Sequence, residues 1–232
     1  MEEPTAEKAP AAAQVPFLQE KRILTTGAIV LAADQLTKQI VVRTIDPEAE
    51  VVVIEGFLKF VHWHNTGAAW SMFKDSSIPL AILSIVALGA LISFRKQFEI
   101  HTRTGKLAMG MLMGGIMGNI IDRLVVTIKQ GAEKIAEKEA QGSAWASGKM
   151  GDFLQDAFQW VVHTTRMGEG VVDFIRFHII PRGQMSGPHN PGWPAFNIAD
   201  MGICIGVGLM LVMAWKEKQE EEKTEEGKNK QS

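Results

Sequence analysis

Asp200 and Asp173 are carboxylates placed where a carboxylate is costly. Asp200 sits in FNIADMGICIGVGLMLVMAW (Phe196–Trp215), an otherwise apolar run long enough to cross a bilayer; Asn197 precedes it by three residues, and no basic residue follows until Lys216. Asp173 lies in VVDF, inside the strand-like run GVVDFIRFHII that leads back toward that apolar stretch. An acid in such surroundings needs a cation from elsewhere or a proton. Two carboxylates brought within about 3 Å cannot both ionise, so they share one proton, and such a pair can activate a water and protonate a leaving amine. That is aspartic-protease chemistry, and it calls for no metal and no cofactor. The same two acids could instead bind a cation or relay protons.

Other polar groups recur at helical spacing in apolar segments. Asp34 and Lys38 are four residues apart, and Asn119, Asp122 and Arg123 lie within four, which gathers each set on one helix face. A charge at the bilayer centre costs at least about 2.5–3.5 kcal/mol, so these groups are expected to turn inward and pair, Asp34 with Lys38 and Asp122 with Arg123.

The remaining composition excludes several functions. A net charge of −2 provides no basic face for nucleic acid. The single cysteine, Cys204, rules out an intramolecular disulfide framework, and as a nucleophile it lies inside an apolar span with no histidine near it in sequence. The six histidines show no HExxH or similar ligand spacing, so no metal is expected.

The elements that must hold these residues are mostly apolar helices. Residues 1–21 are rich in Ala, Pro and charge and read as a disordered tail. Residues 22–215 read as one membrane domain with spans at about 23–42, 78–94, 107–126 and 196–215. Ile78–Phe94 carries no charge, whereas the first span must tolerate Asp34 and Lys38. Gly110, Gly114 and Gly118 recur every four residues in the third, which allows close helix approach in lipid. Lys21 and Arg22, the loop Arg95–Lys106, and Lys216 with Lys218 concentrate positive charge on one side, so both termini are expected in the cytoplasm and the other two loops outside. In those outer loops, EVVVIEGFLKFVHWHNTGAAWS predicts a hairpin around Gly56 and GVVDFIRFHII another strand. DFLQDAFQWVVHTT predicts an amphipathic helix with Phe153, Leu154, Ala157, Phe158, Val161 and Val162 on one face, lying on the membrane or packed on the protein. Residues 216–232 read as a disordered polar tail. The expected fold is thus an all-α polytopic membrane protein with a small extracytoplasmic β-sheet and an inserted amphipathic segment.

Five strings, taken in order, extend this reading: DQLTK (Asp34–Lys38), NTGAAWS (Asn65–Ser71), GNIIDR (Gly118–Arg123), VVDF (Val171–Phe174) and FNIAD (Phe196–Asp200). Their order and the four spans resemble the lipoprotein signal peptidases, or signal peptidase II, over about Ile23–Trp215. The resemblance implies a bacterial inner-membrane aspartic endopeptidase, with its site on the extracytoplasmic side, that removes the signal peptide of prolipoproteins before a diacylglyceryl-modified cysteine. It implies Asp173 and Asp200 as the catalytic pair, with Asn65, Asn119, Arg123 and Asn197 contacting substrate or supporting the site. It gives Asp34, Lys38 and Asp122 a structural part. Prolipoproteins and membrane lipid are the implied partners, the chain is expected to be a monomer, and the competing reading is a small transporter or ion-binding protein. The chain departs from the family pattern at about 124–170, an insertion containing KQGAEKIAEKEAQG, and in the extended link PRGQMSGPHNPGWP before FNIAD.

Overall fold

The structure is a computed structural model and describes residues 20–47, 49–65, 77–93, 102–140, 152–153, 156, 170–177 and 193–229. Helix α1, Lys21–Thr44, ends at an extended Ile45. Pro47 follows in the sequence, and the residue before a proline is steered away from helical dihedrals. The chain then forms strand β1, Glu50–Ile54, and strand β2, Leu58–Asn65, as the alternation around Gly56 predicts. Gly56 takes φ 72°, a backbone conformation that other residues adopt only with strain.

Strand β3, Val171–Phe177, pairs antiparallel with β2 to complete a sheet ordered β1-β2-β3. The free edge of β3 is closed by the segment that follows in sequence. Phe196 donates its N–H to the Ile175 carbonyl at 3.0 Å and accepts from Ile175 N–H at 2.9 Å. Trp193 N–H donates to the Phe177 carbonyl at 3.1 Å. Val172, Phe174 and Ile175 form a core with Val41 and Ile45, so the sheet rests on the last turn of α1.

Two more helices, α2 (Ser77–Ser93) and α3 (Arg103–Ala140), precede β3, and α4 (Ile198–Asn229) follows it. By length and composition, α3 over Arg103–Lys138 and α4 over Ile198–Asn229 are apolar enough to cross a membrane; Ile78–Ser93 is a shorter apolar helix. The fold is therefore mostly helical with a small three-stranded sheet, consistent with a membrane protein. Helix α3 is central and packs on α1, α2 and α4. A methyl group added at Gly114 would stand 2.4 Å from the Gly27 carbonyl oxygen of α1, and one at Gly115 2.4 Å from the Ala199 carbonyl oxygen of α4. Adjacent glycines thus bring two different helices against α3 at backbone contact. Gly115→Ala is expected to destabilise the fold by about 1–3 kcal/mol, read from thermal unfolding in detergent. Gly89→Ala in α2, where nothing lies within 4 Å, should not lower the transition and is expected to raise it slightly.

Two helices run further than the sequence reading proposes. Helix α3 continues past 126 to Ala140, and α4 covers residues 216–229, expected as a disordered tail. Both extensions consist largely of Lys, Glu, Gln and Ala, which are strong helix formers, and carry Glu/Lys pairs at i,i+4 such as Lys129–Glu133 and Lys218–Glu222. Polarity alone does not prevent a helix from continuing once a packed segment has nucleated it. The expected amphipathic helix near 152–164 lies outside the described residues except for Asp152, Phe153 and Asp156. The same holds for NTGAAWS beyond Asn65 and for the disordered tail expected over residues 1–19.

Candidate active site

Asp173 is one buried acid in a run of apolar neighbours on β3, 4% exposed. Alternation along the strand commits Val172 and Phe174 to the core and turns Asp173 to the other face. There Oδ2 accepts from Asn65 Nδ2 at 2.9 Å and Oδ1 from Asn197 Nδ2 at 2.8 Å. Asn65 reaches it diagonally across the sheet, since Asn65 opposes Val171 and Asp173 lies two residues further along.

Asp200 occupies the first turn of α4. Asn197 Oδ1 accepts from Asp200 N–H at 3.0 Å, while Asp200 Oδ2 accepts from Asn197 N–H at 3.2 Å. This is a reciprocal capping box, in which N-cap and third residue each satisfy a donor the helix leaves open. The positive end of the helix dipole also favours an acid here. The remaining oxygen, Oδ1, accepts from Asn119 Nδ2 at 2.9 Å. The cap is not among the sequence expectations, although Asn-x-x-Asp at the start of an apolar run signals it.

Asn197 therefore touches both acids: its Nδ2 donates to Asp173, and its Oδ1 and backbone N–H engage Asp200. The charge of Asp200 reaches Asp173. Burial first, and that charge second, push the Asp173 carboxyl up from 3.8 to about 7, against the opposing pull of Asn65, Lys38 and Asn197. Arg123 of α3 interacts electrostatically with Asp173, Asp200 and Asp122. Its Nε is buried without a hydrogen-bond partner among the described residues.

Beneath this pair lies a separate ionic cluster. Lys38 Nζ binds Asp34 Oδ2 at 2.7 Å and Asp122 Oδ2 at 2.5 Å, with all three side chains at most 1% exposed. The expected pairing of Asp34 with Lys38 is present, but the cation of Asp122 is Lys38 and not its neighbour Arg123. Adjacent residues on a helix point about 100° apart and do not face each other, so Arg123 turns to the acid pair instead. Gln35, another residue the sequence reading passed over, donates to Asp122 Oδ1 at 2.9 Å and to Asp34 Oδ2 at 3.2 Å.

The two sets are joined. Asp34 Oδ1 accepts from Ala199 N–H at 2.9 Å, so α1 also caps the first turn of α4. Lys38 Nζ at 3.5 Å and Asn197 Nδ2 at 3.4 Å both point to Asn119 Oδ1, which leaves the Asn119 amide N–H groups for Asp200. Lys38→Met would strand two buried carboxylates and is expected to cost about 3–5 kcal/mol, measured by thermal or chemical unfolding in detergent. No group of three or more His, Cys, Asp or Glu suited to a metal occurs among the described residues.

The fold and site are those of a mostly apolar helical bundle that holds buried acids and amides at one end, the class to which membrane-protein comparisons apply. Two solved structures share the fold, both bacterial membrane enzymes determined by the in meso method, at 2.3 Å and 1.9 Å resolution. They align with TM-scores of 0.58 and 0.55 at 23% identity, covering 86% and 84% of this chain and 91% and 94% of theirs. Among curated relatives, the lipoprotein signal peptidase of Syntrophotalea carbinolica is 28% identical over 202 residues, 86% of this chain and 94% of that protein. Those of Geobacter sulfurreducens and Oleidesulfovibrio alaskensis are each 30% identical, covering 80% and 83% of this chain and 85% and 93% of theirs. The signal peptidase (SPase) II family profile matches residues 26–216. The chain belongs to the signal peptidase II family, a group of membrane proteases that remove signal peptides in lipoprotein maturation.

Proposed function

We propose that this chain is an aspartic endopeptidase that cuts diacylglyceryl-modified prolipoproteins immediately before the lipidated cysteine. Asp173 and Asp200 form its catalytic pair. The observation that carries the reading is Asn197, whose side-chain amide donates to the Asp173 carboxylate and whose backbone N–H donates to that of Asp200, beside a buried Asp173 whose carboxyl is raised to about 7. Asp173 holds the proton and hydrogen-bonds the scissile carbonyl. Asp200, with donors on both oxygens, takes a proton from the attacking water. The roles then exchange to protonate the departing amine. Arg123 and the asparagines orient the peptide backbone.

The proposed topology has four spans, α1 to α4, both termini in the cytoplasm of a bacterium, and the acid pair at the outer face of the inner membrane. Support comes from the basic residues Lys21, Arg22, Arg103, Lys106, Lys216 and Lys218, which flank the apolar stretches of α1, α3 and α4. A site at that boundary receives diacylglycerol chains sideways from lipid while water reaches the bond. Beyond Arg123, α3 would then rise from the outer surface for roughly 25 Å at about 1.5 Å per residue, beginning the insertion as a helical post. The transporter reading loses ground because Asp34 and Asp122 are both already occupied by Lys38. The test is a gel-shift assay with purified protein and a diacylglyceryl-modified prolipoprotein; no mobility change would overturn the reading.

A pair with one proton loses its acid as that proton leaves, so cleavage should fall as pH rises through about 7. Asn65→Leu removes a donor that favours ionised Asp173, and the fall in the pH–rate profile should move to higher pH. Because folding raises this carboxyl, its contribution to stability is fully present below 3.8 and is lost as pH rises through about 7.

A further inference from the structure

Lys38 is wholly buried, and burying an ammonium with two carboxylates is seldom more stabilising than apolar side chains of the same size. Its surroundings point to a second use. An ammonium has three N–H donors. Lys38 directs them to Asp34 Oδ2 on its own helix and to Asp122 Oδ2 and Asn119 Oδ1 on α3. The two acids turn their other oxygens away from Lys38, Asp34 to the Ala199 N–H and Asp122 to Gln35. Asn119 instead leads straight to the acid pair.

The Asn119 amide could lie in either of two orientations, and its neighbours select one. Its Oδ1 faces two donors, Lys38 Nζ at 3.5 Å and Asn197 Nδ2 at 3.4 Å, while its Nδ2 donates to Asp200 Oδ1 at 2.9 Å. Turned over, the amide would set its N–H groups against an ammonium and another amide, and its oxygen against the Asp200 carboxylate. Of the two donors that prevent this, Asn197 is bound more closely to Asp173, at 2.8 Å. Lys38 is the one that carries charge, and a charged donor polarises an amide and strengthens the bond on its far side.

We propose, on the acid-pair reading given above, that Lys38 is a positioning residue for cleavage: it fixes Asn119 with its amide N–H toward Asp200 and so keeps the shared proton off Asp200. A donor bonded to a carboxylate oxygen favours the ionised form. The proton is thereby left to Asp173, where burial and the charge of Asp200 already favour it and Lys38 pulls weakly the other way. The other charged groups around the pair are Arg123 of α3 and, bound to Lys38, Asp34 of α1 and Asp122 of α3. Lys38 touches neither acid of the pair among the described contacts and acts through the amide between them.

Lys38→Met strands two carboxylates and so reports stability first. Lys38→Gln combined with Asp122→Asn avoids this, because the cluster keeps one net negative charge, now on Asp34. Glutamine retains a donor for Asp34 but is neutral and one bond too short to hold Asn119. Cleavage of a diacylglyceryl-modified prolipoprotein is followed against pH at matched amounts of folded enzyme. Turnover should fall about tenfold with KM little changed, and the alkaline loss of activity should move to higher pH by roughly one unit, since Asp200 has lost a donor that favours its ionised form. In a chain that already carries Asn119→Ala, the same two substitutions should neither slow turnover further nor move the profile. An unmoved profile with only a lower unfolding temperature would overturn the proposal and confine Lys38 to holding α1 on α3. A shift that persists in the Asn119→Ala chain would overturn it too, because Lys38 would then act by another route. Should the paired substitutions prevent folding, Asp122→Asn alone, which strands no charge, is read instead. With one carboxylate fewer the ammonium bears more strongly on Asn119, so the alkaline loss should move to lower pH, and an unmoved profile would again overturn the proposal. Absence of cleavage by the unaltered chain is a separate failure, one that removes the acid-pair reading and the positioning role with it.

Discussion

Asp200→Asn is expected to lower prolipoprotein cleavage by roughly 10^2–10^4-fold, the usual contribution of general acid–base groups. The variant should still insert and fold. Asparagine can accept from Asn197 N–H through its carbonyl oxygen, and the backbone N–H of residue 200 still donates to Asn197 Oδ1, so both bonds of the capping box are retained. What it cannot do is take a proton from water. Asp173→Asn should be equally damaging for the complementary reason, the loss of the group that holds and delivers the proton. The sharper result concerns the double variant. Groups that act as a unit are strongly non-additive, so Asp173→Asn combined with Asp200→Asn should cleave no more slowly than either alone. Initial rates on a diacylglyceryl-modified prolipoprotein, at matched amounts of folded enzyme, measure this. Substantial activity in either single variant would remove that residue from the pair.

The second large effect falls on a residue that performs no proton transfer. Asn197→Ala removes a helix cap, which alone costs about 0.5–2 kcal/mol. It also removes the donor to Asp173 Oδ1, a hydrogen bond to an acid worth about 1.5–3 kcal/mol. Turnover is expected to drop by roughly 10- to 100-fold, with a lower unfolding temperature. Asn197→Ser separates the two contributions. A serine hydroxyl still accepts from Asp200 N–H and restores the cap, but it is too short to replace the amide donor to Asp173 while doing so. Stability should return toward that of the unaltered chain while turnover stays low. If Asn197→Ser recovers both together, the role of Asn197 is confined to the helix end.

How far the sequence carries the fold depends on whether a signal is local. The hairpin around Gly56 and the strand containing Asp173 follow from alternation and a single turn residue, and the Asp34–Lys38 pair follows from one helical turn. The cation of Asp122 does not, because Lys38 lies 84 residues away in sequence and only the packing of α1 on α3 brings it there. The two glycine contacts that allow this approach are visible as a spacing, yet the spacing does not say which helix each glycine receives. At the site, Asp173 and Asp200 stand out by their lack of a local cation. The residue that connects them stands out only by its position at a helix start, and a capping box read for its own sake would have shown why Asn197 and Asp200 recur three apart. The polar end of α4 reads as a tail for a different reason, since low hydrophobicity says nothing of helix propensity, which is high in its Lys, Glu and Gln.

The first turn of α4 is held by α1 through Asp34, by α3 through Asn119, and by β3 through the bonds from Asn197 to Asp173 and from Phe196 to Ile175. Membrane helices insert singly and associate afterwards. Until these elements have docked, Asp173 lacks the amides of Asn65 and Asn197 and Asp200 lacks that of Asn119, so the two acids of the proposed pair stand apart. If the proposed pair does the cutting, the site comes into being only with the finished fold.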